Sequence, residues 1–131
     1  MKKILTHLLF LMPVLVLQVQ HTKHPLDPLS SEEITNAVKI IQSSAEFPQA
    51  ALFSIVVLNE PPKSEVLNYK GDGVFRREAF AIVFDRIKNK TIETIVDLPT
   101  NKIISWKNIP GVEPLVFNAE YDTLPVLIKA D

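Results

Sequence analysis

The chain has 131 residues, a formal net charge of −1 and no cysteine. A nearly neutral charge produces no field that would select nucleic acid or an anionic membrane. The absence of cysteine excludes disulfides, thiolate metal sites and a cysteine nucleophile. This length allows one domain, or one domain and the start of another. Ten prolines against three glycines indicate stiff loops rather than flexible linkers.

Residues 1–23 have the layout of a secretory signal peptide. Two lysines follow Met1, and residues 4–17 are then apolar apart from a threonine and His7. A signal has an apolar region of about 7–15 residues, whereas a membrane-spanning helix needs about 20. We therefore predict a signal that is removed, with His7 discarded as a ligand. An uncleaved anchor is the alternative, because residues 17–21 lack the usual pair of small residues.

A helix is predicted over residues 31–44. Ser30 and Glu33 have the spacing of a capping box, in which each side chain satisfies the backbone N–H of the other residue. Apolar residues then recur at i, i+3, i+4 and i+7, which places them on one face of a helix. Pro48 lies beyond its end. The apolar face consists of Ile34, Ala37, Val38 and Ile41.

A period of two then replaces the helical period and predicts about five strands. Short connections between consecutive strands favour an antiparallel meander. The amphipathic helix is the available cover for the apolar side of this sheet. The predicted fold class is therefore α+β, with one N-terminal helix packed on a curled antiparallel meander sheet. The predicted strands are residues 51–58, 65–70, 78–87, 91–98 and 102–107.

Strand alternation also assigns side chains to faces. Phe80, Ile82 and Phe84 should share one face, with Ala79, Ala81 and Val83 on the other. In the next strand Ile92, Thr94, Val96 and Leu98 should lie on one side. In the last strand Ile104 and Trp106 should lie together, with the tryptophan as a core or rim aromatic.

Asn89 opens an N-glycosylation sequon, Asn-Lys-Thr, on a predicted hairpin turn. A turn in a secreted protein is the context in which such a site is used. A plain polar turn is the alternative, because the three-residue pattern is common by chance. Asn89 is the one modification site that we predict.

Two groups of residues suggest metal or acid–base chemistry. His21 and His24 beside Asp27 could hold a transition metal, but prolines flank this segment and a surface tail is favoured. Asp85, Glu93 and Asp97 could suggest paired carboxylates, which need a pocket and shifted pKa values. We expect these three carboxylates to be exposed on the polar face of the sheet.

A nucleic-acid surface is not expected. Arg76, Arg77, Lys88, Lys90 and Lys102 are the basic residues that could form one. Acidic residues are interspersed among them, and the sequence has neither a phosphate-binding glycine loop nor a dense basic stripe.

Four stretches, in order, resemble copper amine oxidases of the plant type. Residues 24–34 (HPLDPLSSEEI) are similar to the opening of the mature enzymes, and residues 77–83 (REAFAIV) to a basic-then-apolar strand. Residues 94–101, with TIVDL and the following Thr-Asn, resemble a family hairpin. Residues 111–126 resemble the passage into a second accessory domain.

This resemblance implies a cystatin-like domain from a copper- and topaquinone-dependent homodimer. Such enzymes oxidise primary amines to aldehydes and release ammonia and hydrogen peroxide. No catalytic, cofactor-binding or metal residue can be carried over to this chain. The cofactor tyrosine lies in an Asn-Tyr-Asp/Glu motif, whereas Tyr69 is followed by Lys70 and Tyr121 is preceded by Glu120. The copper histidines and the catalytic base belong to a C-terminal domain that this sequence does not contain.

The predicted organisation has three parts. Residues 1–23 are the signal, 24–110 the first N-terminal accessory domain, and 111–131 a linker with the truncated start of the second accessory domain. Within the last part, residues 118–129 suggest a helix interrupted by Pro125, without a sheet of its own to pack on.

The expected function is that of a non-catalytic domain whose partner is the catalytic domain of the same enzyme, with no nucleic-acid or membrane partner after signal removal. The expected location is outside the cell, in the apoplast or cell wall. Two alternatives stay open: a partial record of an active full-length oxidase, and a free-standing cystatin-like interaction module.

Overall fold

The computed structural model describes residues 24–71 and 73–114, and the predicted signal and residues 115–131 lie outside these ranges. Four strands form one antiparallel sheet in the order β1-β2-β3-β4, so β1 and β4 are its edges. The predicted α+β class, a helix with an antiparallel meander, is confirmed. The elements are α1 (Ser31–Gln42), β1 (Ala51–Asn59), α2 (Lys63–Asn68), β2 (Glu78–Asp85), β3 (Lys90–Asp97) and β4 (Lys102–Ile109).

Helix α1 begins at the predicted capping box. The Glu33 N–H donates to Ser30 Oγ over 3.2 Å, and the Ser30 N–H donates to Glu33 Oε2 over 2.8 Å. Ala37 and Ile41 are fully buried, and the rest of the predicted apolar face is half-buried. The helix ends at Gln42, two residues earlier than predicted, with Ser43 as its C-cap.

The core lies between α1 and one side of the sheet. Ala79, Ala81 and Val83 of β2 are completely buried on this side, as the predicted alternation requires. Alanine at two of these positions lets the helix approach the sheet closely. Their neighbours in β3 include Val96, which is also fully buried. Burying one such valine or isoleucine contributes about 1.5–3 kcal/mol, so these few residues hold the two layers together.

The prediction of a strand at residues 65–70 is wrong, and the sheet therefore has four strands instead of about five. Residues Lys63–Asn68 form the short helix α2. Pro62 is the N-cap of this helix, and proline has no backbone N–H that would need a partner there. A strand must pair with a neighbour to satisfy its backbone, whereas a helix satisfies its own. Leu67, counted in the alternation, is 73% exposed.

The prediction that Ile104 and Trp106 share a face and pack together is also wrong. The β3–β4 register shifts between Ile95 and Val96, so Val96 lies opposite Ile103 while Thr94 lies opposite Trp106. Such a β-bulge adds one residue to a strand and interrupts the period of two. Ile103 and Trp106 therefore pack against the core, and Ile104 is 54% exposed.

No helix within the described ranges is long and apolar enough to cross a membrane.

Candidate functional site

Arg77, immediately before β2, is the most highly connected polar side chain near the start of the domain. Its Nε and Nη2 atoms donate to the two carboxylate oxygens of Glu33, each over 2.9 Å. Its Nη1 atom donates to the carbonyl of Asp27 over 2.7 Å, and Nη2 also donates to that of Pro28 over 2.8 Å. These contacts, which we call the Arg77 anchor, join the N-terminal segment, α1 and the sheet.

The Arg77 anchor depends on two pre-formed backbone features. The Leu98 N–H donates to the carbonyl of Arg77 over 3.0 Å, which fixes the arginine beside the end of β3. The Ser30 cap holds the Glu33 carboxylate at the first turn of α1. A guanidinium that is 6% exposed must find several acceptors, since a buried charge is costly unless it is paired and hydrogen-bonded. Arg77 is therefore a structural residue.

The sequence prediction did not identify this role for Arg77. It grouped Arg77 with Arg76 as a candidate of a basic surface, yet Arg76 alone is exposed, paired with Glu65 at 3.0 Å. One signal was present in the sequence: an arginine directly before a buried strand, together with a glutamate at the third position of a capped helix. The distance along the chain, 44 residues from Glu33 to Arg77, hid the pairing.

The predicted metal candidates do not form a site in the part of the chain that the structure describes. His21 lies outside it. The His24 N–H donates to Asp27 Oδ2 over 2.7 Å, and His24 Nδ1 accepts from the Leu26 N–H over 3.2 Å. The His24 ring also contacts Tyr69 edge-on, with 5.3 Å between centroids. This histidine and aspartate thus organise a local turn.

Copper and topaquinone do not fit the residues described. Across 24–71 and 73–114, no three histidine, cysteine, aspartate or glutamate side chains lie close enough to hold a metal ion. Tyr69 is followed by Lys70, where the family's quinone motif has an acid. The residues in these two ranges therefore offer neither a ligand set for copper nor the tyrosine motif from which the quinone forms.

Asp85, Glu93 and Asp97, the three carboxylates that were predicted to be exposed on one face of the sheet, do not share a face. Asp85 is 3% exposed, so the prediction that it is exposed is wrong. It lies on the same side of β2 as Ala79, Ala81 and Val83, which is the core side. Its Oδ1 accepts from the N–H groups of Ile87 and Lys88, at 3.0 and 3.1 Å, and so closes the β2–β3 turn. Glu93 and Asp97 lie on the opposite side and are half-buried rather than exposed.

Asn89, the predicted glycosylation site, lies in the turn between β2 and β3. Its side chain is exposed, and its backbone adopts a left-handed conformation with φ of 48°. Its Nδ2 atom donates to Glu113 Oε1 over 3.3 Å. Asn101 occupies the turn between β3 and β4 with a φ of 54° and is exposed as well. Both turns are thus accessible, but only Asn89 begins a sequon.

The side of the sheet that faces away from α1 carries an apolar surface on β1 and β2, which meets Glu93 of β3 opposite Ile82. Register places its members side by side across three strands: Leu52 beside Phe84, Ile55 beside Ile82, and Val57 beside Phe80. Ile95 of β3 lies opposite Phe80 and adds a third strand to this surface. Ile55 and Val57 are 41% and 40% exposed, and the others are half-buried. We name this surface the open face; it consists of Leu52, Ile55, Val57, Phe80, Ile82, Phe84 and Ile95.

Comparison with known proteins identifies related sequences along almost all of the described part. Residues 24–109 match the family model described as copper amine oxidase, N2 domain. The chain is 32% identical to a primary amine oxidase of Klebsiella aerogenes over 115 residues, which cover 86% of this chain and 15% of that enzyme. It is 37% identical to a primary amine oxidase of Arthrobacter sp. (strain P1) over 84 residues, or 64% of this chain and 12% of the enzyme.

A plant relative is similar over a comparable part of the chain. It is a peroxisomal copper-containing diamine oxidase of Nicotiana tabacum, 30% identical over an alignment of 144 residues that covers 83% of this chain and 18% of the relative. The chain therefore spans less than a fifth of the length of each of these three relatives.

Proposed function

The chain belongs to the family of copper amine oxidase N2 domains, and we propose that it supplies the first N-terminal accessory domain of such an oxidase without taking part in catalysis. The observation that carries this proposal is the extent of the family match. It runs from residue 24 to residue 109 and so contains α1, α2 and all four strands of the sheet.

The reaction proposed for the whole enzyme is oxidation of primary amines to aldehydes, with release of ammonia and hydrogen peroxide. Copper and topaquinone would supply that chemistry in a catalytic domain of a homodimer. Relatives named primary amine oxidase, copper methylamine oxidase and diamine oxidase support the reaction class. Their names differ in the amine, so the proposal extends to primary amines as a class.

The role proposed for this domain is packing rather than chemistry. The Arg77 anchor gives it a rigid start, in which hydrogen bonds join the N-terminal segment, α1 and the sheet. The side chains of Ser30, Glu33, Arg77 and Asp85 are engaged in the helix cap, the Arg77 anchor and the β2–β3 turn.

We further propose that the enzyme is of the plant type and is secreted, with Asn89 glycosylated. The basic start and apolar run of residues 1–23 support secretion, and the accessible turn at Asn89 supports modification. One relative carries peroxisomal in its name. Cell fractionation of a tagged chain, with apoplastic and peroxisomal markers, separates these two destinations.

A domain exchange tests the proposed role. Residues 24–109 replace the matching segment of the Arthrobacter primary amine oxidase, and a second variant has that segment deleted. We expect the exchanged enzyme to be soluble and to release peroxide from methylamine, while the deletion loses soluble yield. The matched control carries Ile41→Asp in the inserted domain, which disrupts its core and should behave like the deletion. An exchanged enzyme whose insert is folded but which performs no better than the deletion contradicts the proposal.

A further inference from the structure

The open face is an apolar surface on the side of the sheet away from α1. Helix α1 lies on the opposite side of the sheet, where Ala79, Ala81 and Val83 are completely buried. On the open face, by contrast, Ile55 and Val57 are each about two-fifths exposed. A contiguous apolar surface on a small domain marks a place where something packs.

The chain that follows β4 is held at one end of this face. β4 ends at Ile109, which lies opposite Thr91 at the start of β3. Thr91 in turn pairs with Phe84, a member of the open face, so the threonine side chain points to the same side. Thr91 Oγ1 donates to the carbonyl of Val112 over 2.6 Å. The backbone at Val112 therefore lies on the open side of the sheet.

A second contact holds the chain after β4 at the same end of the sheet. Asn89 Nδ2 donates to Glu113 Oε1 over 3.3 Å, one residue further along. Gly111 has a φ of 68°, a left-handed conformation that glycine adopts without strain and that turns the chain after β4. The predicted linker at residues 111–114 is thus attached to the β2–β3 end of the sheet by two side chains.

The sequence after Pro114 has the composition and the reach to cover the open face. A strand of eight residues is about 27 Å long, whereas an extended chain of the length of residues 115–131 could span about 55 Å. Even as a helix it would extend about 25 Å. Its apolar residues outnumber its charged ones; they are Leu115, Val116, Phe117, Ala119, Tyr121, Leu124, Pro125, Val126, Leu127, Ile128 and Ala130.

We propose that residues 115–131 dock on the open face and form a second apolar layer of this domain, opposite α1. Three observations support this: the apolar surface, the exit of the chain onto that side at Val112, and the apolar composition of the segment that follows. The proposal replaces the sequence-based expectation that this segment has no sheet to pack on. It does not depend on the proposed amine oxidase role.

A spin-label experiment on the full chain tests the proposal. The chain has no cysteine, so Ala119→Cys introduces one attachment site for a nitroxide. We expect the label to broaden the backbone amide signals of Ile55 and Ile82, at the centre of the open face. The matched control is Lys39→Cys on the exposed side of α1, and its label should leave those two amides sharp.

Further samples show whether the open face is covered by the same molecule or by a second copy of the chain. In a mixture of isotope-labelled, unmodified chain with spin-labelled, unlabelled chain, docking within one molecule predicts no broadening. Broadening in that mixture identifies a second copy as the occupant and overturns the proposal, as does an absence of broadening in the single-chain sample. Val57→Lys on the open face should release the segment and sharpen the Ile82 signal. The matched variant Leu67→Lys, which is on α2, should not.

Discussion

Arg77 donates to both carboxylate oxygens of Glu33 over 2.9 Å, and the same glutamate closes the capping box with Ser30. Two elements that are far apart in the sequence therefore share one carboxylate. The arginine and glutamate side chains are 7% and 15% exposed, so solvent screens this pair little. The start of α1 and the start of β2 are positioned by one group of polar atoms.

Replacing Arg77 with methionine should destabilise the domain strongly. The substitution keeps much of the apolar stem but removes the guanidinium from Glu33 and from the carbonyls of Asp27 and Pro28. Breaking a buried pair from one side costs about 3–5 kcal/mol. Urea unfolding followed by tryptophan fluorescence gives the change in the free energy of unfolding.

The matched control for this prediction is Arg76→Met. Arg76 is exposed and pairs with Glu65 at 3.0 Å, and exposed pairs contribute about 0–1 kcal/mol. Its second contact, 3.7 Å to the buried Glu78, is longer, and Glu78 keeps the hydrogen bond from Asn59 when Arg76 is replaced. We therefore expect a smaller loss than for Arg77→Met. Equal losses of unfolding free energy in the two variants would show that the Arg77 anchor contributes no more than a surface pair.

Replacing Ser30 with alanine should lower the free energy of unfolding by about 1 kcal/mol, the usual cost of removing a helix N-cap. The hydroxyl that accepts from the Glu33 N–H at 3.2 Å would be lost. Ser31→Ala is the control, since Ser31 is already helical and exposed and alanine favours helix there. Thermal unfolding of both variants measures the difference; a Ser31 variant that is the less stable of the two contradicts the assignment of the cap.

The helix and the four sheet strands could be predicted because their signals are local. The capping box at Ser30 and the alternation around Ala81 each involve residues within a few positions of one another. The error at residues 65–70 arose because a short alternating stretch also fits one or two helical turns. These residues do not pair with any of the four strands of the sheet. The backbone around Leu67 forms its hydrogen bonds within a short helix instead, and this helix begins after Pro62.

The features that sequence could not reveal depend on contacts between distant residues. Arg77 lies beside Glu33 only because the sheet and α1 are packed together. The bulge that exposes Ile104 appears only in the register between β3 and β4. Asp85 is buried because its position in β2 falls on the core side at the sheet end, where it satisfies two turn amides. Strand alternation alone does not identify such turn-closing contacts.

Replacing Ile41 with alanine should cost about 2–5 kcal/mol, because the side chain is fully buried beneath the sheet and its loss leaves a cavity. Leu67→Ala on α2 is the matched control, since that leucine is 73% exposed. Its effect should stay within about 0.5 kcal/mol, as for most surface substitutions. Chemical denaturation of the two variants compares them directly; a large loss for Leu67→Ala would indicate that the leucine is buried in solution and would contradict its exposed position on α2.

Secretion from plant cells should add one glycan to the chain, at Asn89. Enzymatic removal of N-glycans should then lower its mass, and Asn89→Gln should abolish that difference. Asn101→Gln is the control, because Asn101 lies in an equivalent left-handed turn without a sequon. Mass spectrometry of the secreted proteins resolves the three cases. A glycan that persists in the Asn89 variant, or a secreted wild-type chain without one, contradicts the proposed modification.

The proposed non-catalytic role is tested most directly by an oxidase assay on the chain itself. The protein is secreted and purified, incubated with copper under air, dialysed, and assayed for peroxide release from methylamine, a diamine and benzylamine. Copper per chain is measured on the same sample. We expect no amine-dependent peroxide and no copper retained in stoichiometric amount. Turnover of any of these amines, or one copper ion held per chain after dialysis, contradicts the non-catalytic role.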